Sequence, residues 1–140
     1  MKMRILIFDD ETAILKVFES VCEMQNYEVF TFETPHGCPL DVQTKCTCPL
    51  NEKCADVIIS DIRMPDLNGI DFIQQQLNKG CKVGNIALMS GQWTIEEREI
   101  VENLGCKIFL KPFTIVVLEE WLEECEKNID PNRKLCNFFE

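Results

Sequence analysis

Five residues in this chain have types and spacing suited to phosphoryl chemistry: Asp9, Asp10, Asp61, Ser90 and Lys111. They follow four short apolar runs: Arg4 to Phe8, Ala55 to Ser60, Asn85 to Met89 and Lys107 to Leu110. Three carboxylates brought into one pocket raise one another's pKa and destabilise the fold unless a cation neutralises them. Oxygen-only donors favour a hard ion, Mg2+ ahead of Zn2+. A transferring phosphoryl group spreads its charge over three equatorial oxygens, so catalysis is mainly positioning plus cations. Mg2+ would take one oxygen, the Lys111 ammonium a second, and the Ser90 hydroxyl with a nearby backbone N–H the third. Asp61 is the best nucleophile, since it stands alone after its run while Asp9 and Asp10 form a pair suited to the metal. Its attack would give an acyl phosphate.

These groups converge only if the runs are strands of one sheet. Each run is too brief for a helix and reads as a buried parallel strand. Tyr27 to Phe32 alternates aromatic and β-branched residues with polar ones and supplies another. Between the strands, Ile14, Val17, Phe18, Val21 and Cys22 mark one amphipathic helix, and Ile70, Ile73 and Leu77 mark a second ending at Gly80. Thr94 to Leu104 and Thr114 to Lys127 read as two more, with Thr114 as an N-cap. Alternating strands and helices predict an α/β fold, a doubly wound five-stranded parallel sheet of order 2-1-3-4-5. Ligands of such sheets lie at the carboxyl ends of the strands, near the switch point between strands one and three. The acids fall there.

Composition narrows the function classes. The chain has 140 residues, 46% of them hydrophobic, enough for one core. Its 24 acidic against 14 basic side chains give a net charge of −10, which repels phosphate backbones and argues against nucleic-acid binding. There is no apolar run of about 18 residues to span a membrane, and no signal peptide. A cytoplasmic protein is expected, with its nine cysteines as thiols or metal ligands rather than a disulfide frame.

The ordered set Asp9-Asp10, Ser60-Asp61-Ile62-Arg63-Met64-Pro65-Asp66-Leu67-Asn68-Gly69, Ser90-Gly91 and Lys111-Pro112-Phe113 resembles response-regulator receiver domains over roughly Met3 to Lys127. The resemblance implies a flavodoxin-like receiver fold in which Asp61 accepts a phosphoryl group from a phosphohistidine on a sensor histidine kinase or phosphotransfer protein. It also implies that Asp10 and Asp61 bind Mg2+ directly, Asp9 through water, and that the Arg63 main-chain carbonyl completes the protein ligands. Lys111 would contact the phosphate, and the Lys111-Pro112 bond is usually cis in the family. The family's aromatic switch position, three residues before the lysine, is here Ile108. Phe109 is predicted to face the opposite side of the sheet. The expected protein is a stand-alone, chemotaxis-type regulator that signals through protein contacts to an unnamed target and is not an enzyme beyond its own phosphorylation and dephosphorylation. A phosphohydrolase of the same sheet type is disfavoured, because such enzymes want a second acid where Arg63 stands.

Between strands two and three, Glu33 to Cys54 carries Pro35, Pro39 and Pro49 in place of a helical period. The expected layout is a receiver domain over 1–128, with this Cys-rich insertion at 33–54, and a tail over 129–140. Cys38, Cys46, Cys48 and Cys54 lie in the insertion, with His36 as a further donor. Their spacing is not the usual Cys-x2-Cys knuckle, so bound Zn2+, an iron–sulfur centre, disulfides and free thiols all stay open. A metal- or redox-sensing adaptor that uses this segment as its input is the alternative function. Cys22, Cys81, Cys106 and Cys125 read as small hydrophobes on buried faces. Trp93 and Trp121 read as partial core or a partner patch, and Glu96-Glu97-Arg98-Glu99 as a solvated helix face. Arg63 and Gln92 would rim the pocket or be plain surface.

Overall fold

A computed structural model describes residues 2–34, 52–65 and 67–136. Five strands form one parallel sheet: β1 (Arg4–Phe8), β2 (Glu28–Phe32), β4 (Val57–Asp61), β5 (Asn85–Ser90) and β6 (Lys107–Leu110). Their order, β2-β1-β4-β5-β6, is the predicted one once the two-residue strand β3 (Glu52–Lys53) is counted. The apolar runs of β1 and β4 are buried along their whole length. That is why they lack the polar alternation of a half-exposed strand.

Among the described residues, four helices cover the two faces: α1 (Thr12–Met24), α2 (Gly69–Asn78), α3 (Ile95–Asn103) and α4 (Ile115–Lys127). Side chains of successive strand residues point to opposite faces, and the core divides accordingly. Ile5, Ile7, Ile59 and Met89 pack with Leu15 and Phe18 of α1 and Leu118 and Leu122 of α4. Leu6, Phe8, Ile58 and Leu88 pack with Ile70, Phe72 and Ile73 of α2 and Val101 of α3. Helix starts are written locally. The Asn68 side chain accepts from the Ile70 N–H at 2.8 Å, and Thr114 caps α4 by accepting from the Val117 N–H at 3.3 Å. Gly105, after α3, has φ of 76°, the left-handed conformation that ends helices at least cost in glycine.

After α4 the chain folds back. Strand β7 (Lys134–Leu135) pairs in parallel with β3, and the Cys136 N–H donates to the Lys53 carbonyl at 2.9 Å. The loop of Asp130 to Arg133 carries Arg133 onto Asp56, with contacts of 2.9 Å to Oδ1 and 2.6 Å to Oδ2. Of the four insertion cysteines, Cys38, Cys46 and Cys48 lie outside the described residues, as does His36. Cys54 is described and buried in the α2-side core.

Candidate phosphoacceptor site

Parallel pairing brings the carboxyl ends of β1, β4, β5 and β6 together; the β1 end supplies two carboxylates and each of the others one chemical group. Phe8 pairs with Ser60, so Asp9 follows β1 beside Asp61, the last residue of β4. Carboxylate oxygens of Asp9, Asp10 and Asp61 lie within 4.8 Å of one another. Asp9 and Asp61 are buried, while Asp10 is exposed at the mouth. Lys111, just after β6, reaches across: its Nζ is 2.8 Å from Asp9 Oδ2 and 3.4 Å from Asp61 Oδ1. The Glu11 N–H donates to the other Asp9 oxygen at 2.9 Å. A 102-residue separation between Asp9 and Lys111 is closed only by the sheet.

The electrostatics leave the site short of positive charge. Burial pushes the Asp61 carboxyl up most; Lys111 pulls it back, and the neighbouring charges of Asp9 and Asp10 add to the rise, which ends at about 6. For Lys111, burial opposes the charge, but the hydrogen bond and charge of Asp9 and the charge of Asp61 outweigh it and hold its pKa above the ordinary lysine value. One ammonium against three carboxylates, all offering oxygen, is a donor set that fits a hard divalent cation. The receiver family that the sequence resembles binds Mg2+ at an acidic pocket of this kind.

The other predicted residues take distinct places. Ser90 is buried, and its hydroxyl donates to the Gln92 carbonyl at 2.7 Å while accepting from the Gln92 N–H at 3.2 Å. It is thus turned into its own loop rather than onto the carboxylates. The half-exposed Arg63 guanidinium pairs with Glu97 at 2.8 Å and with the Gln92 carbonyl at 3.2 Å. Glu97 is therefore more than part of a solvated face. It also closes a capping box with Thr94, both bonds at 3.0 Å, and the Thr94-x-x-Glu97 spacing was the readable signal. The Lys111-Pro112 bond is cis. Phe109 is buried on the α1/α4 side and Ile108 is half-buried on the α2/α3 side, so the two face apart as strand alternation requires. Trp93 and Trp121 are half-buried on opposite faces of the sheet. Trp93 Nε1 donates to the Phe109 carbonyl at 3.0 Å, and Trp121 meets the Phe109 ring edge-on at 5.6 Å between centroids.

Gly69 is a site residue that residue chemistry alone did not mark. A Cβ there would collide with the Asp61 carbonyl oxygen and lie 2.9 Å from the Asp61 carbonyl carbon. Its N–H donates to the Ile62 carbonyl at 2.9 Å, so helix α2 starts pressed against the β4 end. Gly69→Ala is expected to cost roughly 1–3 kcal/mol and to slow chemistry at Asp61. Urea unfolding and phosphoryl-uptake rates measured on the same preparation check both, and an unchanged rate would show that the close approach does not position Asp61.

The sequence from residue 5 to 123 matches the family model of the response regulator receiver domain. Among curated relatives, the nisin biosynthesis regulatory protein NisR of Lactococcus lactis subsp. lactis is 29% identical over 142 residues, covering 99% of this chain and 57% of the relative. The chain thus spans little more than half of that relative's length. The chemotaxis protein CheY1 of Helicobacter pylori strain 26695 is 25% identical over 124 residues, covering 86% of this chain and 94% of CheY1. The fold is shared with the solved structure of Vibrio cholerae chemotaxis protein CheY4 (TM-score 0.71, 22% identity, 89% of this chain and 99% of that one). It is also shared with a CheY-like receiver domain protein from Methanospirillum hungatei JF-1 (TM-score 0.70, 23% identity, 91% and 96%).

Proposed function

The chain belongs to the response regulator receiver domain family, and on that premise we propose that Asp61 is its phosphoacceptor. The observation that carries the reading is the Lys111 ammonium bridging Asp9 and Asp61 inside a three-carboxylate pocket. A phosphohistidine on a sensor histidine kinase or phosphotransfer protein is the donor. An Asp61 carboxylate oxygen attacks phosphorus; the O–P bond forms as the P–N bond breaks, and the imidazole leaves. Mg2+, when bound, neutralises charge on the carboxylates and the transferring group. Asp10 and Asp61 would hold it directly, Asp9 through water, with the Arg63 main-chain carbonyl completing the protein ligands. Lys111 contacts the phosphate, and Ser90 supplies a hydroxyl once it turns out of its loop.

A groove of about 560 Å³ opens beside Lys111, walled by Ala13, Ile14, Val17, Phe18, Pro112 and Phe113. Its apolar wall at the rim of the pocket suits docking of the phosphodonor protein. The phosphorylated domain then acts by offering a downstream protein a different surface, since a two-state shift needs differential partner binding. With Ile108 at the switch position, packing of an aliphatic side chain replaces an aromatic rotation. The domain turns over only its own phosphoryl group, in the cytoplasmic setting expected from the sequence. The similarities lend no support to the metal- or redox-sensing adaptor as the main function, and bound Zn2+ or an iron–sulfur centre at Cys38, Cys46, Cys48 and Cys54 forms no part of this reading. Among the described residues no helix is long and apolar enough to cross a membrane.

Incubating the chain with acetyl phosphate and Mg2+ tests the proposal. Wild type is expected to gain one covalent phosphoryl group by intact mass, and Asp61→Ala none. A wild-type protein that stays unmodified ends the reading, and so does modification that persists in Asp61→Ala.

A further inference from the structure

Ser90 carries the hydroxyl that chemistry at Asp61 calls on, yet it is turned away from the carboxylates. Its neighbour Met89 pairs with Asp61, and the Ile62 N–H donates to the Met89 carbonyl at 3.0 Å, so Ser90 stands beside the β4 end. A serine hydroxyl rotates to suit its partners. Here both partners are backbone groups of Gln92: the carbonyl accepts from the hydroxyl at 2.7 Å and the N–H donates to Oγ at 3.2 Å. The placing of the Gln92 peptide groups therefore decides where Ser90 points.

The Gln92 carbonyl has a second donor. Arg63 Nη2 reaches it at 3.2 Å from the connection between β4 and α2. The same guanidinium forks Glu97 of α3, with Nη1 at 2.8 Å from Oε2 and Nη2 at 2.9 Å from Oε1. Glu97 Oε1 in turn accepts from the Thr94 N–H at 3.0 Å. One planar cation thus joins the carbonyl that holds Ser90 to the first turn of α3. The Arg63 side chain is 50% exposed but that of Glu97 only 16%, and a bidentate fork is the geometry in which a partly exposed pair contributes. The far end of the loop is tied separately. Trp93 Nε1 donates to the Phe109 carbonyl at 3.0 Å, and the Arg98 guanidinium carbon lies 6.0 Å from the Trp93 ring centre. Loss of the Arg63 contacts would free Ser90 to Gln92 while Trp93 stays on β6.

We propose that the Arg63–Glu97 pair is a latch on Ser90. Closed, it holds the Gln92 carbonyl against the Ser90 hydroxyl; open, it lets the hydroxyl turn toward the phosphoryl group at Asp61. The proposal rests on Asp61 being the phosphoacceptor. Arg63 and Glu97 act through the Gln92 peptide as positioning residues and do not touch the reacting atoms. The two placements of Ser90 form a two-state equilibrium, and a reaction that needs the minor form is slowed in proportion to its population. A pair that favours the turned-in form therefore restrains phosphoryl uptake, and uptake in turn weakens the pair by the same factor.

Two variants open the latch from opposite sides. Glu97→Gln removes the charge but keeps an amide oxygen for the Thr94 N–H, so the capping box survives. Arg63→Met removes the guanidinium and leaves Glu97 and its cap in place. Three-bond couplings of the Ser90 β-protons in the unmodified protein are expected to read one rotamer in wild type and a mixture in both variants. Uptake from acetyl phosphate with Mg2+ should rise roughly two- to fivefold in each, no further in the double variant, and not at all when Ser90→Ala is added. An unchanged Ser90 rotamer in both variants overturns the latch. So does an acceleration that persists in the Ser90→Ala background, since the pair would then act by another route. A wild-type chain that takes up no phosphoryl group ends the reading of Asp61 instead, and the Ser90 couplings still decide whether the pair holds the hydroxyl.

Discussion

Replacing Arg133 with alanine is expected to cost about 3 kcal/mol of folding stability at pH 7. The reason is the carboxylate it would leave behind. Asp56 is fully buried, and Arg133 grips both of its oxygens, at 2.9 and 2.6 Å. What remains after the substitution is the Arg4 N–H at 2.9 Å and Lys53 at 3.6 Å. Stripping one partner from a buried ion pair leaves an uncompensated charge, which costs far more than losing a surface salt bridge. Burial alone would raise the Asp56 pKa, but Arg133 and the Arg4 N–H outweigh it and hold it below the ordinary aspartate value. A depressed carboxylate contributes stability above its unfolded pKa and loses it as pH falls through the folded value. The Arg133→Ala deficit should therefore shrink toward acid pH, and Asp56→Asn combined with Arg133→Ala should recover part of it. Urea midpoints of the three proteins at pH 7 and pH 4 check this. A loss under about 0.5 kcal/mol at pH 7 would mean that solvent already screens the pair.

At the other pole, the affinity for Mg2+ is expected to fall about tenfold for each pH unit below 6, where the cation must displace a proton from Asp61. The sign for the metal-free protein runs the opposite way. Asp61 has a folded pKa of about 6, raised from 3.8, so it binds its proton more tightly in the fold than in the unfolded chain. Its favourable contribution is complete below the unfolded pKa and is lost as pH rises through the folded value. At pH 8, Asp61→Asn should then stabilise the metal-free protein by about 1–3 kcal/mol, while losing most of the stabilisation that Mg2+ gives wild type. Calorimetric Mg2+ titrations at pH 5, 6, 7 and 8, with thermal melts of both proteins, read out each part. A pH-independent affinity would remove Asp61 from the cation's ligands.

Much of the site is legible from residues alone because its logic is periodic and local. Ile5–Phe8 and Val57–Ile59 are unbroken apolar runs, which a sheet covered on both faces explains, and the carboxyl ends of such strands are where ligands sit. Asp9, Asp10, Asp61 and Lys111 are positioned by that rule. Helix starts at Asn68, Thr94 and Thr114 are written within four residues of chain. Two features depend on contact instead. Whether Ser90 faces the carboxylates or its own loop is a rotamer, fixed by the Gln92 backbone. Gly69 matters because of an approach to Asp61 that no spacing rule encodes.

The sequence by itself determined the parallel sheet, its strand order and the acid–lysine set at one of its ends, because hydrophobic period and strand-end position follow from nearest neighbours along the chain. The tertiary structure alone decided what closes the opposite end. Arg133 and Asp56 are 77 residues apart, and β3 and β7 are two residues each. Such pieces carry no period, and a charge has no partner until the sheet has brought two distant segments side by side.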